Sequence, residues 1–158
     1  MNEEDTIDAD GLPALDADAI DEPAIDWSAL EAEARAARER AYAPYSRYAV
    51  GAALLGADGK TYRGANIENA SYGLCLCAER SALANALTAG VHEFAALVVL
   101  TKGPVPAAPC GMCRQVLSEF SRRLPIRCVT DAGARLDTSI EELLPHAFDR
   151  GYLEGDGG

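Results

Sequence analysis

Residues 95–101 read Ala-Ala-Leu-Val-Val-Leu-Thr, an apolar run of strand length with no polar side chain before its last position. A strand wetted on one face alternates apolar and polar residues, whereas an unbroken run belongs to a central strand covered on both faces. The chain therefore has to supply helices for both sides of a sheet. Residues 27–41 are rich in Ala, Glu and Arg and carry Leu30, Ala34, Ala37 and Ala41 at helical spacing. Ser28 followed by Glu31 matches a capping box at their start. Residues 77–87 and 110–123 show the helical pattern on either side of the apolar run, and Gly90 stands where a left-handed C-cap closes the first of these.

Four further strands follow from local signals. Residues 48–55 and 61–65 flank Ala57-Asp58-Gly59-Lys60, whose Asp-Gly pair marks a hairpin. Residues 125–130 are again strand-like, and residues 134–137 predict a last strand before a short helix opened by Thr138 and Glu141. Strand, helix, strand, helix, strand in succession adds a parallel segment with right-handed crossovers to the opening hairpin. The expected class is α/β, in one domain, for which 158 residues with 49% hydrophobic content suffice.

The net charge of −11 is a property of one end. Residues 1–26 hold ten acidic side chains and no basic one, while residues 27–158 hold fifteen acidic and fourteen basic groups. The first 26 residues are too polar and charged to bury a core and are expected to form a disordered extension; residues 27–150 form the domain, and residues 151–158 a flexible tail. A near-neutral core with no basic stripe argues against a nucleic-acid partner. No apolar run approaches a membrane span and no secretory signal opens the chain, so no membrane association and a cytoplasmic location are expected. Five cysteines in that setting read as thiols or metal ligands rather than disulfides.

Those cysteines concentrate at two helix starts, in Cys77-Ala78-Glu79 and in Pro109-Cys110-Gly111-Met112-Cys113. Unpaired amides and the helix dipole favour thiolate there. Cys110 and Cys113 are spaced to share one helical face. Alone, the second group reads equally well as a redox pair, and the first means little. Together they open helices beside consecutive parallel strands, so both arrive at the same sheet edge, where open α/β sheets place ligands. Three protein ligands leave a place for water or substrate, as catalytic zinc sites do. Three thiolates around a dication need a compensating charge, for which Arg80 is nearest in sequence and Arg114 second. The plain alternatives are a surface ion pair for Arg80 and a solvated carboxylate for Glu79. Cys75 reads as a buried thiol near the pocket, pointing away from Cys77, Cys128 as core, and His92 and His146 as surface or interface groups.

Ala43-Pro44-Tyr45-Ser46, residues 50–55, Asn66-Ile67-Glu68-Asn69-Ala70-Ser71-Tyr72-Gly73, Cys77-Ala78-Glu79-Arg80, Pro109 to Gln115, and Glu141-Glu142-Leu143-Leu144-Pro145 with Ala147-Phe148 closely resemble the cytidine deaminases of the short, homotetrameric, three-cysteine kind. The match runs in order over residues 27–150. The resemblance implies a three-layer α-β-α sandwich with a five-stranded mixed sheet, and one Zn2+ per subunit on Cys77, Cys110 and Cys113. It makes Glu79 the proton carrier, with Arg80 hydrogen-bonding the thiolates. Asn66 and Glu68, alternating beyond a strand and so pointing to one side, become the ribose pair, and Tyr48 faces the base. Ala70, Tyr72 and Phe148 match positions that reach a neighbouring subunit's site. The implied reaction is hydrolysis of cytidine and deoxycytidine to uridine and deoxyuridine with loss of ammonia, in pyrimidine salvage. A blasticidin-type aminopyrimidine nucleoside deaminase shares much of the pattern, and a structural-zinc interaction module using the acidic tail is the reading from a different class. A nucleic-acid cytosine editor conflicts with the near-neutral core.

Overall fold

A computed structural model describes residues 25–153. The expectations for residues 1–24 and 154–158 lie outside the described residues. Five strands form one mixed sheet in the order β2-β1-β3-β4-β5: β1 (Gly51–Gly56), β2 (Thr61–Ala65), β3 (Phe94–Thr101), β4 (Pro125–Thr130) and β5 (Arg135–Ser139). β1 is antiparallel to both neighbours, β3 and β4 are parallel, and β5 is antiparallel to β4. β2 therefore runs in the same direction as β3 and β4. α2 (Ala78–Thr88) follows β2 and α3 (Gly111–Ser118) follows β3, so both helices begin at one edge of the sheet.

The central run divides its side chains by parity. Ala96, Val98 and Leu100 join Ala53 and Val129 against Leu30 and Ala34 of α1 (Trp27–Arg38). Leu97 and Val99 join Ala52, Leu54, Ile126 and Cys128 against Ala78, Ala82, Leu83 and Ala86 of α2 and Leu117 of α3. The result is helix, sheet and helices in three layers, as a strand apolar on both faces demands. Arg127 ties α1 to β4: its guanidinium lies 4.3 Å from the Trp27 ring centroid and bonds Glu31 at 3.3 Å and Asp137 at 2.7 Å.

Small residues set how closely the helices approach. A Cβ on Gly51 would overlap the Ala34 carbonyl and the Arg38 amide of α1; a Cβ on Gly64 would overlap the backbone of Ala78 and Ala82 in α2. The hairpin turn is as expected, with Gly59 at φ +76° and Gly59 N donating to Gly56 O. Gly90 takes φ +85° just past the end of α2.

Four local expectations are corrected. Asp26, not Ser28, caps α1, accepting the Ala29 amide at 3.0 Å. The first strand begins at Gly51 rather than residue 48, because Arg47 at φ +57° turns the chain and the Asn66 side chain takes the ladder contacts of Tyr48 and Val50. α3 stops at Ser118, whose hydroxyl bonds back to Gln115 O, and the chain then tightens to bring Phe120 edge-on to Phe94 and bury Leu124. α4 (Ile140–Leu143) is opened by Ser139 and Glu142 in a reciprocal capping box, one residue later than Thr138 and Glu141. Among the described residues no helix is long and apolar enough to cross a membrane.

Candidate active site

Cys77 and Cys110 each occupy the N-cap of a helix without a capping hydrogen bond from the side chain, leaving both sulfurs to point elsewhere. They point at each other. Cys77 Sγ lies 3.7 Å from Cys110 Sγ, Cys110 Sγ lies 3.6 Å from Cys113 Sγ, and the three sulfurs fall within 4.8 Å of one another. The hydrogen bond from Cys113 is the first influence holding the Cys77 thiol down to about 5, with Arg80 acting in the same direction. The same pairing, together with burial, pushes Cys113 upward.

Arg80 is where the charge argument places it. One of its terminal nitrogens donates to Cys75 O at 3.0 Å and meets Cys77 Sγ at 3.8 Å, and its Nε is buried with no partner among the described residues. Arg114 is not a second compensating charge at the sulfurs: it clamps the carbonyls of Pro109, at 2.6 Å, and Leu143, at 3.0 Å, fixing the entry to α3. Cys75 is half-buried rather than buried and lies outside the sulfur group, exchanging weak contacts with Asn69 N at 3.4 Å and Asn69 O at 3.8 Å. Cys128 is core, its thiol pushed up to about 12 mainly by burial. His92 and His146 are exposed and stand apart from the sulfurs.

The three-sulfur group fits zinc. Its donors are soft, they converge from two helix starts, and the unpartnered Nε of Arg80 sits in a shell that carries negative charge once all three thiols ionise. Glu79, in the first turn of α2, is only 5% exposed. Burial raises its carboxyl above the usual carboxylate range; its own amide opposes this and the Cys77 thiolate adds to it. A buried carboxyl takes up a proton more readily than a solvated one, which suits proton transfer.

A cleft of about 510 Å³ opens in front of this group, lined by Tyr48, Asn66, Glu68, Cys77, Glu79 and Cys110 among others. The expected base-facing, ribose-facing, proton-carrying and metal-binding positions thus share one cavity. Asn66 and Glu68 also do structural work. Asn66 bridges Tyr48 O and Val50 N, both at 2.8 Å, and Glu68 accepts the amides of Tyr45 at 2.8 Å and Ser46 at 3.2 Å and the Ser46 hydroxyl. The Ser46 bond comes first among the influences that lower the Glu68 carboxyl below its ordinary range. Ala70, Tyr72 and Phe148 do not line this cleft. All three are exposed, Tyr72 at 75% and Phe148 at 57%, with Phe148 stacked on Tyr152 and its carbonyl held by Gln115 at 2.6 Å.

Two polar cleft residues, Ser46 and Thr101, are additions to the expected site. Ser46 sits inside a motif that sequence singled out without giving it a role. Thr101, the lone polar residue of the apolar run, has the same parity as Val99, which aims it at the cleft wall; its buried hydroxyl has no partner among the described residues.

Comparison with known proteins agrees with this geometry. Residues 26–128 match the family described as the cytidine and deoxycytidylate deaminase zinc-binding region. A cytidine deaminase of Halalkalibacterium halodurans is 50% identical over 122 residues, covering 71% of this chain and 86% of the relative. One from Sporosarcina psychrophila is 45% identical over 117 residues, covering 73% and 86%. The crystal structure of cytidine deaminase from Burkholderia pseudomallei superposes with a TM-score of 0.76 at 50% identity, covering 78% of this chain and all of that one.

Proposed function

The chain belongs to the cytidine and deoxycytidylate deaminase family, and on that premise we propose that it hydrolyses cytidine and deoxycytidine to uridine and deoxyuridine with release of ammonia, in pyrimidine salvage. The observation that carries this reading is the placement of buried Glu79 beside three converging thiols at the end of a nucleoside-sized cleft.

Cys77, Cys110 and Cys113 hold zinc, which when bound supplies the Lewis acidity that makes a water molecule reactive near neutral pH. Glu79 carries the protons. Its carboxylate accepts one from the attacking water and delivers it to the pyrimidine ring nitrogen N3, then takes the remaining proton of the added hydroxyl and gives it to the departing amine, so that water and cytidine become uridine and ammonia. Burial favours this cycle because the carboxyl returns to a neutral form easily. Arg80 offsets the thiolate charge from behind, its contacts to Cys77 Sγ and Cys75 O leaving the cleft side of the sulfurs free. Tyr48 packs against the base, and Asn66 and Glu68 receive the ribose hydroxyls.

The domain spans residues 27–150, between an acidic extension and a short tail, and acts in the cytoplasm. It assembles as a homotetramer in which Ala70, Tyr72 and Phe148 complete a neighbour's cleft. The exposure of Tyr72, Leu74 and Phe148 supports this, since apolar groups of that size are normally covered. The test is direct: purified full-length chain, with zinc content measured, is given cytidine and deoxycytidine while the loss of cytosine absorbance is followed. Zinc-bound chain that turns over neither nucleoside overturns the proposal. Sedimentation of an active monomer would overturn the shared-site part alone.

A further inference from the structure

Ser46 occupies a position between two walls of the cleft. Its hydroxyl donates to Glu68 Oε1 and accepts the Tyr48 amide at 3.0 Å, while its own amide donates to Glu68 Oε2 at 3.2 Å. The Tyr45 amide takes a second place on Oε2, at 2.8 Å. A carboxylate offers about four acceptor positions, so three donors from one loop leave one free and fix which way it faces. The same loop is pinned to the segment just after β2, with Tyr42 N donating to Asn66 O at 3.0 Å and Glu68 N donating to Tyr42 O at 2.8 Å. Between Ser46 and Tyr48 stands Arg47 at φ +57°, the one non-glycine residue with positive φ among those described. A conformation that costs a residue with a Cβ free energy persists only where its surroundings hold it.

We propose that Ser46 is a positioning residue for sugar recognition, its single hydroxyl setting the orientation of the Glu68 carboxylate and the distance of Tyr48 from it. This rests on the nucleoside reading given above, and deepens it. Because Glu68 is already ordered by the loop, a ribose hydroxyl meets an acceptor that has no side-chain freedom left to lose. Because the same Ser46 oxygen accepts the Tyr48 amide, the base-facing and sugar-facing walls move as one unit. Without the hydroxyl Glu68 retains two amide donors but loses the one contact on Oε1, and the Tyr48 amide loses its partner.

The experiment compares steady-state kinetics of the zinc-loaded full chain with those of Ser46→Ala, Ser46→Thr and Glu68→Gln on cytidine. Loss of a hydrogen bond to a charged group predicts a rise in KM of about tenfold or more for Ser46→Ala, with kcat within about threefold. Ser46→Thr, which keeps the hydroxyl, should recover most of the lost KM. Combining Ser46→Ala with Glu68→Gln should add little to Glu68→Gln alone, since the two act through one contact. Should Ser46→Ala not fold, hydrogen exchange at the Tyr45, Ser46 and Tyr48 amides in Glu68→Gln carries the test: faster exchange than in the parent supports the linkage, and unchanged exchange overturns it. An unaltered KM in folded Ser46→Ala, or an effect confined to kcat, also overturns it. A parent chain without cytidine turnover sinks the functional reading and this proposal together, whereas an active parent with an indifferent Ser46 sinks this proposal only.

Discussion

Gly64 and Ala78 pack backbone to backbone: a Cβ placed on Gly64 would overlap the Ala78 carbonyl oxygen and the Ala82 amide. β2 thereby lets α2 settle directly on it, and the N-terminus of α2 brings Cys77 and Glu79 to the sheet edge. Gly64→Ala should push α2 outward and cost about 1–3 kcal/mol, as overpacking does elsewhere. Gly73→Ala, where a Cβ would meet nothing within 4 Å, is the control. Urea unfolding of both variants at constant zinc checks this, and equal midpoints would refute the close-packing argument.

Glu79→Gln keeps the size of the side chain and removes its ability to carry a proton. The sulfurs of Cys77, Cys110 and Cys113 are untouched, so the metal content should stay at one zinc per chain while turnover falls by about 10²–10⁴-fold. Metal analysis and a cytidine assay on the same preparation decide it. Near-normal turnover with zinc in place would remove Glu79 from the reaction.

Arg80→Ala removes the cation that touches Cys77 Sγ and the Cys75 carbonyl. Groups that orient and polarise metal ligands typically contribute about 10–100-fold in metal affinity, and a loss in that range is expected here. Competition with a chromophoric chelator at fixed pH measures it. An affinity equal to that of the parent would show that the three thiolates need no counter-charge from this side chain.

The architecture was readable because its signals are local. An apolar run, an Asp-Gly turn and helix starts marked by cysteines each act within a few residues, and β4 came out with its expected bounds. What escaped the sequence depends on partners far along the chain. That Asn66 would stand in for a peptide group opposite Tyr48 and Val50, so that the strand starts late, rests on a contact sixteen to eighteen residues away. That Glu68 would tie down the loop at Tyr45 and Ser46 rests on one more than twenty residues away. The α1 cap was misplaced because Asp26 and Ser28 are both good caps, and only the path of the preceding chain chooses between them. Arg114 looked like a neighbour of the metal in sequence, yet its guanidinium is claimed by two carbonyls.

Asp131 accepts bonds from Arg38 at 2.5 Å and Arg35 at 2.8 Å, which join the end of α1 to the turn after β4. Arg38 is the leading influence that sets its carboxyl below the ordinary value of 3.8. A depressed folded pKa means that the contribution is present above the unfolded value and is lost as pH falls through the folded one. Asp131→Asn should therefore be less stable than the parent at pH 7, by no more than about 1 kcal/mol for an exposed cluster, and the two should converge below pH 3.8. Urea midpoints at the two pH values measure the difference. A gap that persists in acid would mean that the ion pairs are not its source.

Asp26 and Ile25 join the chain ahead of α1 to the fold. The Asp26 carboxylate accepts the Ala29 amide, and Ile25 packs against the α1 face of the sheet. An unmet amide at a helix start costs about 1 kcal/mol when a side-chain cap is removed. Asp26→Ala should lose about that much stability, while Ser28→Ala, at an exposed position inside the first turn, should lose almost none. Deleting residues 1–24 should leave cytidine turnover and assembly unchanged, because both Ile25 and Asp26 remain. Differential scanning calorimetry ranks the three constructions. A stability loss on Ser28→Ala as large as on Asp26→Ala would restore Ser28 as the cap, and lost assembly on the deletion would give the acidic extension a part in the oligomer.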